Sequence, residues 1–298
     1  MPSTHDYKTD VRNNDIQIYI NGIFFHRLEA KVSVMDSGYL LGDGVWEGIR
    51  LHKGKLLHLE SHLSRLYKGA ELLDIKLNLS PEKIKQALVK TVKVNNMHTD
   101  VHIRLIVSRG IKKTPYQHPK VTIGAPTIVI IPEFKKVNID DINKGISLVL
   151  VKTIRDYRVQ NPQINSLSKH NCIAACIEAA KLGADEGIML DPQNNVSTCN
   201  STNLFIVRNN EVWTSKGVYC LKGVTRGNII RICEEYKIKI YEKDFSYEKL
   251  YSADEVFVTG TFAGVIPVVK VGDKILSNSK IGKITKLLQE YYLLDMEN

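Results

Sequence analysis

Cysteine is scarce and unpatterned in this chain: five residues, at 172, 176, 199, 220 and 233, form an odd and scattered set. That excludes a disulfide framework and points to a reducing compartment, with the cytoplasm as the expected location. Cys172 and Cys176 lie one helical turn apart with His170 nearby, but no second Cys/His pair completes a metal site, so none is expected. No apolar run approaches the roughly 20 residues of a membrane span, and no membrane association is expected. The first fifteen residues are polar and mixed in charge, lack the apolar core of a signal peptide, and read as a loose tail. The net charge of +9 comes from lysines spread along the whole chain. Without a basic run or interleaved aromatics no nucleic-acid surface is expected, only a Lys-rich surface around a site for anionic small molecules. There is no G-x-G-x-x-G, so a dinucleotide-binding fold is unsupported.

What is present is the composition of an ordinary globular protein, 43% hydrophobic and 24% charged over 298 residues, long enough for two domains. In the first half, Gln17-Ile18-Tyr19-Ile20 and Ile23-Phe24-Phe25 flank Asn21-Gly22, a hairpin signal. Apolar residues at 59, 63, 66, 70 and 73 mark one buried helix face. Ser80-Pro81 opens a second helix, with Ile84, Leu88 and Val92 as its apolar face. Strands are expected at His102–Val107 and Thr127–Ile131. The charged, aperiodic stretch 132–143 reads as a linker between a domain at 16–131 and a second at 144–298. The second half restarts with a strand at Ile146–Val151 and a helix from about Ser168 to Leu182, stopped by Gly183. Short strands are expected around 187–190, 203–207, 211–213, 238–241 and 255–258. A helix follows Gly223, Gly272-Asp273 forms a hairpin turn, and an amphipathic helix over 281–294 closes the chain.

Several stretches carry potential chemistry. Asp36-Ser37-Gly38-Tyr39-Leu40-Leu41-Gly42-Asp43-Gly44-Val45-Trp46-Glu47-Gly48-Ile49-Arg50 is a glycine-punctuated turn feeding a strand; alone, its G-x-G serves a tight turn as readily as a phosphate. In His62-Leu63-Ser64-Arg65-Leu66 the core-facing leucines set Arg65 beside the buried face, where a guanidinium can fork onto a phosphate or simply cover apolar side chains. Leu221-Lys222-Gly223-Val224-Thr225-Arg226-Gly227 breaks directly into a helix, and Thr259-Gly260-Thr261-Phe262-Ala263 leaves a strand. Either can offer amides and hydroxyls to a phosphate or be an ordinary capped turn.

Together with Asn161-Pro162-Gln163-Ile164-Asn165-Ser166-Leu167-Ser168-Lys169-His170-Asn171, Gly183-Ala184-Asp185-Glu186-Gly187 and Val196-Ser197-Thr198-Cys199-Asn200-Ser201-Thr202-Asn203-Leu204-Phe205, these stretches resemble the fold-type IV pyridoxal-phosphate enzymes, the class IV aminotransferases, from about Gly38 to Pro267. The resemblance includes the branched-chain and D-amino-acid aminotransferases and the aminodeoxychorismate lyase group. It implies a mixed α+β fold with a small N-terminal α/β domain and a larger, β-barrel-like C-terminal domain. The implied cofactor is pyridoxal 5'-phosphate (PLP), held at its phosphate by Arg65, Val224, Thr225 and Thr261. Trp46, often tyrosine in relatives, and Phe262 fall among the substrate-lining positions, and Arg109 falls on the arginine that holds the substrate carboxylate in members of the D-amino-acid type.

Two positions depart from the family pattern. Asn165 stands where the family carries the lysine that forms the Schiff base, and Thr198 replaces the glutamate that keeps the pyridine nitrogen protonated. A carboxamide cannot serve as the amine, so Lys169, four residues on, is the candidate replacement. The two Cα atoms would lie about 6 Å apart in a helical turn and up to about 13 Å apart if extended. Capped by Ser168 at the first helical position, Lys169 would meet the positive end of the macrodipole, which lowers an amine's pKa. A threonine hydroxyl at 198 offers a neutral hydrogen bond roughly half as strong as a charge-assisted one, which weakens carbanion stabilisation. The expected function is transfer of an amino group between a small amino acid and a 2-oxo acid by a homodimer. A PLP-dependent lyase or racemase of the same fold, and a binding protein that keeps only the phosphate cup, are the alternatives.

Overall fold

The computed structural model describes residues 10–276 and 280–297. The described residues divide into two compact units: one holds residues 10–136 together with Ile164–Lys169, the other Val137–Gln163 and the described residues from His170 onward. The break between Lys136 and Val137 lies inside the expected linker, but that stretch is not featureless. The strand begun at Thr127 continues to Phe134, and a short helix capped by Asn138 spans Ile139–Asn143. The return of Ile164–Lys169 to the N-terminal unit has no counterpart in the sequence-based division at residue 144.

The N-terminal unit contains β1 (Gln17–Ile20), β2 (Ile23–His26), β3 (Gly44–His52), β4 (Lys55–Leu56), β5 (Val101–Ser108), a small hairpin of β6 (Ile111–Lys112) and β7 (Thr122–Ile123), and β8 (Thr127–Phe134). Its helices are α1 (Ser37–Leu41), α2 (Leu59–Leu72) and α3 (Pro81–Val94). Six strands form one antiparallel sheet in the order β2-β1-β8-β5-β3-β4. Asn21 and Gly22 both take positive φ, which fits the two-residue turn between β1 and β2. Ser80 caps α3 by accepting from the Lys83 amide. Strand alternation sends Val45, Ile49 and Leu51 of β3, and Ile103, Leu105 and Val107 of β5, into one core with Leu63 and Leu66 of α2 and Ile84 and Leu88 of α3. Each such leucine contributes about 1.5–3 kcal/mol by leaving water. Residues 10–15 are not a loose tail. Asp10 caps a 3-10 turn, and the buried Asn13 side chain clamps the end of β8, donating to Phe134 O and accepting from Phe134 N.

The C-terminal unit has α4 (Ile139–Asn143), β9 (Ile146–Leu150), α5 (His170–Lys181), β10 (Glu186–Leu190), β11 (Val196–Cys199), β12 (Asn203–Arg208), β13 (Glu211–Thr214), α6 (Val224–Glu235), β14 (Ile240–Glu242), α7 (Tyr247–Tyr251), β15 (Glu255–Gly260), β16 (Gly264–Val271), β17 (Lys274–Ile275) and α8 (Lys283–Glu297). Its mixed sheet runs β11-β10-β9-β16-β15-β12-β13-β14, with β17 paired to β16. β11 and β12 lie five places apart in that order, yet Val196 and Cys199 of one share a core with Leu204 and Ile206 of the other. The sheet therefore curls into a half-barrel around this core. No helix of the described residues is long and apolar enough to cross a membrane.

Candidate active site

In the N-terminal unit the glycine-punctuated motif builds a seat for residues 164–169. Gly42, at φ 66°, closes α1, and a Cβ there would lie 3.1 Å from the Cα of Ser168. A Cβ on Gly44 would meet Val107 O at 2.4 Å and Leu167 Cδ1 at 2.6 Å, so only glycine admits both neighbours. The returning segment then pairs with β3: Trp46 N donates to Asn165 O at 3.0 Å and Leu167 N to Gly44 O at 2.9 Å. The Asn165 side chain is also engaged. Its Nδ2 donates to Trp46 O at 2.7 Å, and its Oδ1 accepts from Lys169 Nζ at 3.1 Å. Lys169 Nζ lies 5.4 Å from the centre of the Trp46 ring. Helix α5 begins at His170, so Lys169 precedes the helix instead of occupying its first position.

Alternation along β3 separates Trp46 from Glu47. Glu47 is fully buried and accepts from Arg65 Nε at 2.8 Å, Arg65 Nη2 at 2.6 Å and His62 Nδ1 at 2.7 Å. Burial pushes this carboxyl up, but the hydrogen bonds from Arg65 and His62 outweigh it and hold the net pKa below the usual glutamate value. The Arg65 fork is thus oriented by a carboxylate that the sequence analysis did not single out. On the opposite face, the Arg104 guanidinium stacks 4.1 Å from the Trp46 ring centre. It makes no hydrogen bond or ion pair among the described residues, and burial pulls its pKa below the ordinary arginine value, with Glu133 only partly opposing. Arg109 is differently placed. Its Nε and Nη2 grip Asp43 at 2.6 and 3.1 Å, while Nη1 and Nη2 donate to the carbonyls of Asp74 and Leu73 at 2.9 and 2.7 Å. Those bonds pin the motif's turn to the end of α2, so the substrate-carboxylate role expected for Arg109 does not suit a guanidinium already committed this way.

In the C-terminal unit, Gly223 precedes α6 and no side chain caps that helix, which leaves the first-turn amides of Val224 and Thr225 for another acceptor. A Cβ at 223 would collide with Asn203 Oδ1 at 2.2 Å, and Asn203 Nδ2 donates to Leu221 O at 2.9 Å, which locks this approach. Opposite Asn203 on β15 is Thr259, whose buried hydroxyl has no partner among the described residues. Thr261 and the buried Phe262 follow in the turn before β16. Thr198, on β11, donates its hydroxyl proton to Thr202 O at 2.7 Å, and Thr202 Oγ1 in turn donates to Glu186 at 2.6 Å. Burial and the Glu186 carboxylate push the Cys199 thiol well up, and burial pushes Cys233 up to about 12, so neither is a thiolate nucleophile. No group of three or more His, Cys, Asp or Glu among the described residues could hold a metal.

The N-terminal unit therefore brings Asn165, Lys169 and Trp46 together with Arg104, and the C-terminal unit gathers Val224 and Thr225 with Asn203 and Thr259. The signal for Arg104 was present as a cation inside an apolar strand; Glu47 gave none, because its partners lie 15 and 18 residues away on α2.

Comparison with known proteins shows the family. The family model for amino-transferase class IV matches residues 44–271. A Methanocaldococcus jannaschii protein with a provisional branched-chain-amino-acid aminotransferase name is 38% identical over 282 residues, covering 93% of this chain and 95% of its own. D-alanine aminotransferase of Staphylococcus aureus is 33% identical over 275 residues, covering 92% and 95%. Among solved structures, a T.th. branched-chain amino acid aminotransferase complexed with N-(5'-phosphopyridoxyl)-L-glutamate superposes with a TM-score of 0.87 at 27% identity, over 94% of this chain and 93% of that one. The chain belongs to the class IV aminotransferases.

Proposed function

We propose that the protein is a PLP-dependent aminotransferase that moves an amino group between a small amino acid and a 2-oxo acid. One observation carries this reading: the uncapped start of α6 beside the buried, unpartnered hydroxyl of Thr259. First-turn amides and a desolvated hydroxyl without an acceptor suit a phosphate, so the residues present fit that end of the cofactor. By family correspondence Arg65, Val224, Thr225 and Thr261 would hold it, and Thr198 would face its pyridine nitrogen. When bound, PLP supplies a carbonyl for the amino group and a ring that withdraws electrons from the substrate Cα. The chain's own groups do the rest. Glu47 holds the Arg65 fork in one orientation, and Thr198, its proton donated to Thr202 O, offers the ring nitrogen only lone pairs. Arg104, stacked on Trp46 and unpaired, is the cation we assign to the substrate carboxylate in place of Arg109.

We further infer a cytoplasmic homodimer. Five unpaired cysteines fit a reducing compartment, and Leu28, Val34 and Tyr39 of the N-terminal unit are more than two-thirds exposed, at 78%, 68% and 72%, as a partner-covered surface would be in one subunit alone. The test is equilibrium dialysis of the purified chain against PLP, repeated with Thr225→Ala. Saturable binding that weakens at least tenfold in the variant is expected. An absence of wild-type binding at high micromolar PLP would overturn the reading.

A further inference from the structure

An amine must bond to the PLP carbonyl if the proposed chemistry is to run, and position 165 does not provide one. What it provides is a bracket. Backbone pairing holds residue 165 against β3, and the bond from Nδ2 to Trp46 O turns the carboxamide oxygen toward Lys169 Nζ. The asparagine side chain plus the hydrogen bond at its tip spans about the 6 Å of an extended lysine side chain. The amine of Lys169 therefore ends about where the amine of a lysine at 165 would end. A lysine merely closing a loop would project into water. This one folds back over four residues to a buried oxygen and the face of Trp46. Another inward amine of this unit, Lys112, is only 1% exposed and reaches His118 O at 3.5 Å, sealed from any cofactor arriving through solvent.

We propose that Lys169 is the amine that bonds to PLP and that Asn165 is the residue that positions it; both statements rest on the PLP reading above. In its neutral form the Lys169 nitrogen adds to the carbonyl carbon of the cofactor. A C=N bond replaces the C=O bond, and the oxygen leaves as water with the two hydrogens of the amine. Asn165 takes no part in the bond. By accepting from Nζ it selects one rotamer of a side chain that otherwise samples many, at no cost in added charge.

The experiment uses the full chain loaded with PLP, reduced with borohydride, digested with trypsin and analysed by mass spectrometry. Reduction turns the C=N bond into a secondary amine, and cleavage after Lys169 should then fail. The adduct is expected on the fragment from Val159 to Lys181, which contains Lys169 as its only internal lysine. Lys169→Arg preserves a cation beside Asn165 and should lower the trapped adduct at least tenfold while dialysis still detects bound PLP. Asn165→Asp preserves an oxygen acceptor but adds a charge that favours the ammonium form. The trapped fraction should then rise with pH along a curve displaced upward by about one unit or more, a shift that a purely structural role would not produce. PLP bound by dialysis with the adduct absent, or on another lysine, would overturn the Lys169 assignment and leave the functional reading intact. An adduct on Lys169 whose pH curve is unmoved in Asn165→Asp would remove the positioning role. No PLP bound at all would overturn both.

Discussion

Glu47→Gln isolates the electrostatic centre of the N-terminal unit. The carboxylate is fully buried, while its partners Arg65 and His62 are 16% and 1% exposed. Removing one member of a buried ion pair costs about 3–5 kcal/mol because the other charge is left without compensation. Arg65 keeps some contact with water, so the expected loss is at the lower end, about 3 kcal/mol. Arg65→Met leaves the fully buried carboxylate with His62 alone and should cost more, about 5 kcal/mol. The double variant should then cost less than the two singles together by about 2 kcal/mol. Urea unfolding in a Trp213→Phe background lets Trp46 report on this unit. The pH dependence provides a separate check. The folded-state pKa of Glu47 is depressed, so its contribution is fully present above the unfolded value, near ~4.3, and is lost as pH falls through the lower folded value. The wild type should lose stability in that acid window, and Glu47→Gln should show a flatter limb there. Additive single effects together with an unchanged acid limb would refute the reasoning.

Arg104→Met removes a desolvated, unpaired cation, so the melting temperature should hold or rise while kcat/KM for an amino acid falls about 10- to 150-fold, the worth of a charge-assisted contact of about 1.5–3 kcal/mol. A KM and kcat unchanged from wild type would dismiss Arg104 as the carboxylate anchor. Arg109→Ala should do the reverse, costing about 2–4 kcal/mol in urea titrations because Asp43 and two carbonyls lose their donor. Asn165→Lys with Thr198→Glu puts a lysine and a glutamate where the resemblance expects them and should raise transamination of some amino acid above wild type; a panel of amino donors with no gain would show that other residues limit the rate.

Most of the fold was legible because its signals are local. Positive φ at Asn21-Gly22, the Ser80-Pro81 helix start and the spacing of Leu63, Leu66 and Ala70 need no knowledge of distant residues. The errors came where distant residues decide. Pro132 read as the end of a strand, yet it sits opposite Ile103 inside β8, which continues to Phe134. Residues 10–15 read as a tail because Asn13 looks like any polar residue until Phe134 lies beside it. β16 escaped notice for a related reason. Pro267 argues against a central strand, but β9 pairs only from Val268 onward and asks nothing of the missing N–H. In the candidate site, the family motifs named segments but not the partners of each charge. Resemblance favoured Arg109 at the end of β5, whereas Arg104 in its middle makes no hydrogen bond or ion pair among the described residues.

The two positions expected from the resemblance to depart from the family pattern do not have the physical character of decay. A lost lysine or glutamate replaced at random in a buried position would leave polar atoms unpaired, at about 1–3 kcal/mol each. Asn165 uses both ends of its carboxamide, and the Thr198 hydroxyl is satisfied by Thr202 O, with Thr202 anchored in turn on Glu186. One buried hydroxyl without a partner among the described residues is Thr259, beside the uncapped helix start where an anion would supply the missing acceptor. The Thr259 hydroxyl is thus open where a ligand is expected, while Asn165 and Thr198 are internally complete. That distribution fits a site still selected to bind an anionic cofactor. By the resemblance, both positions hold a neutral side chain where an ionisable one is expected, so less charge must be compensated around the ring. The expected consequence is weaker electron withdrawal at the ring nitrogen and slower proton removal, with the phosphate end of the site unchanged.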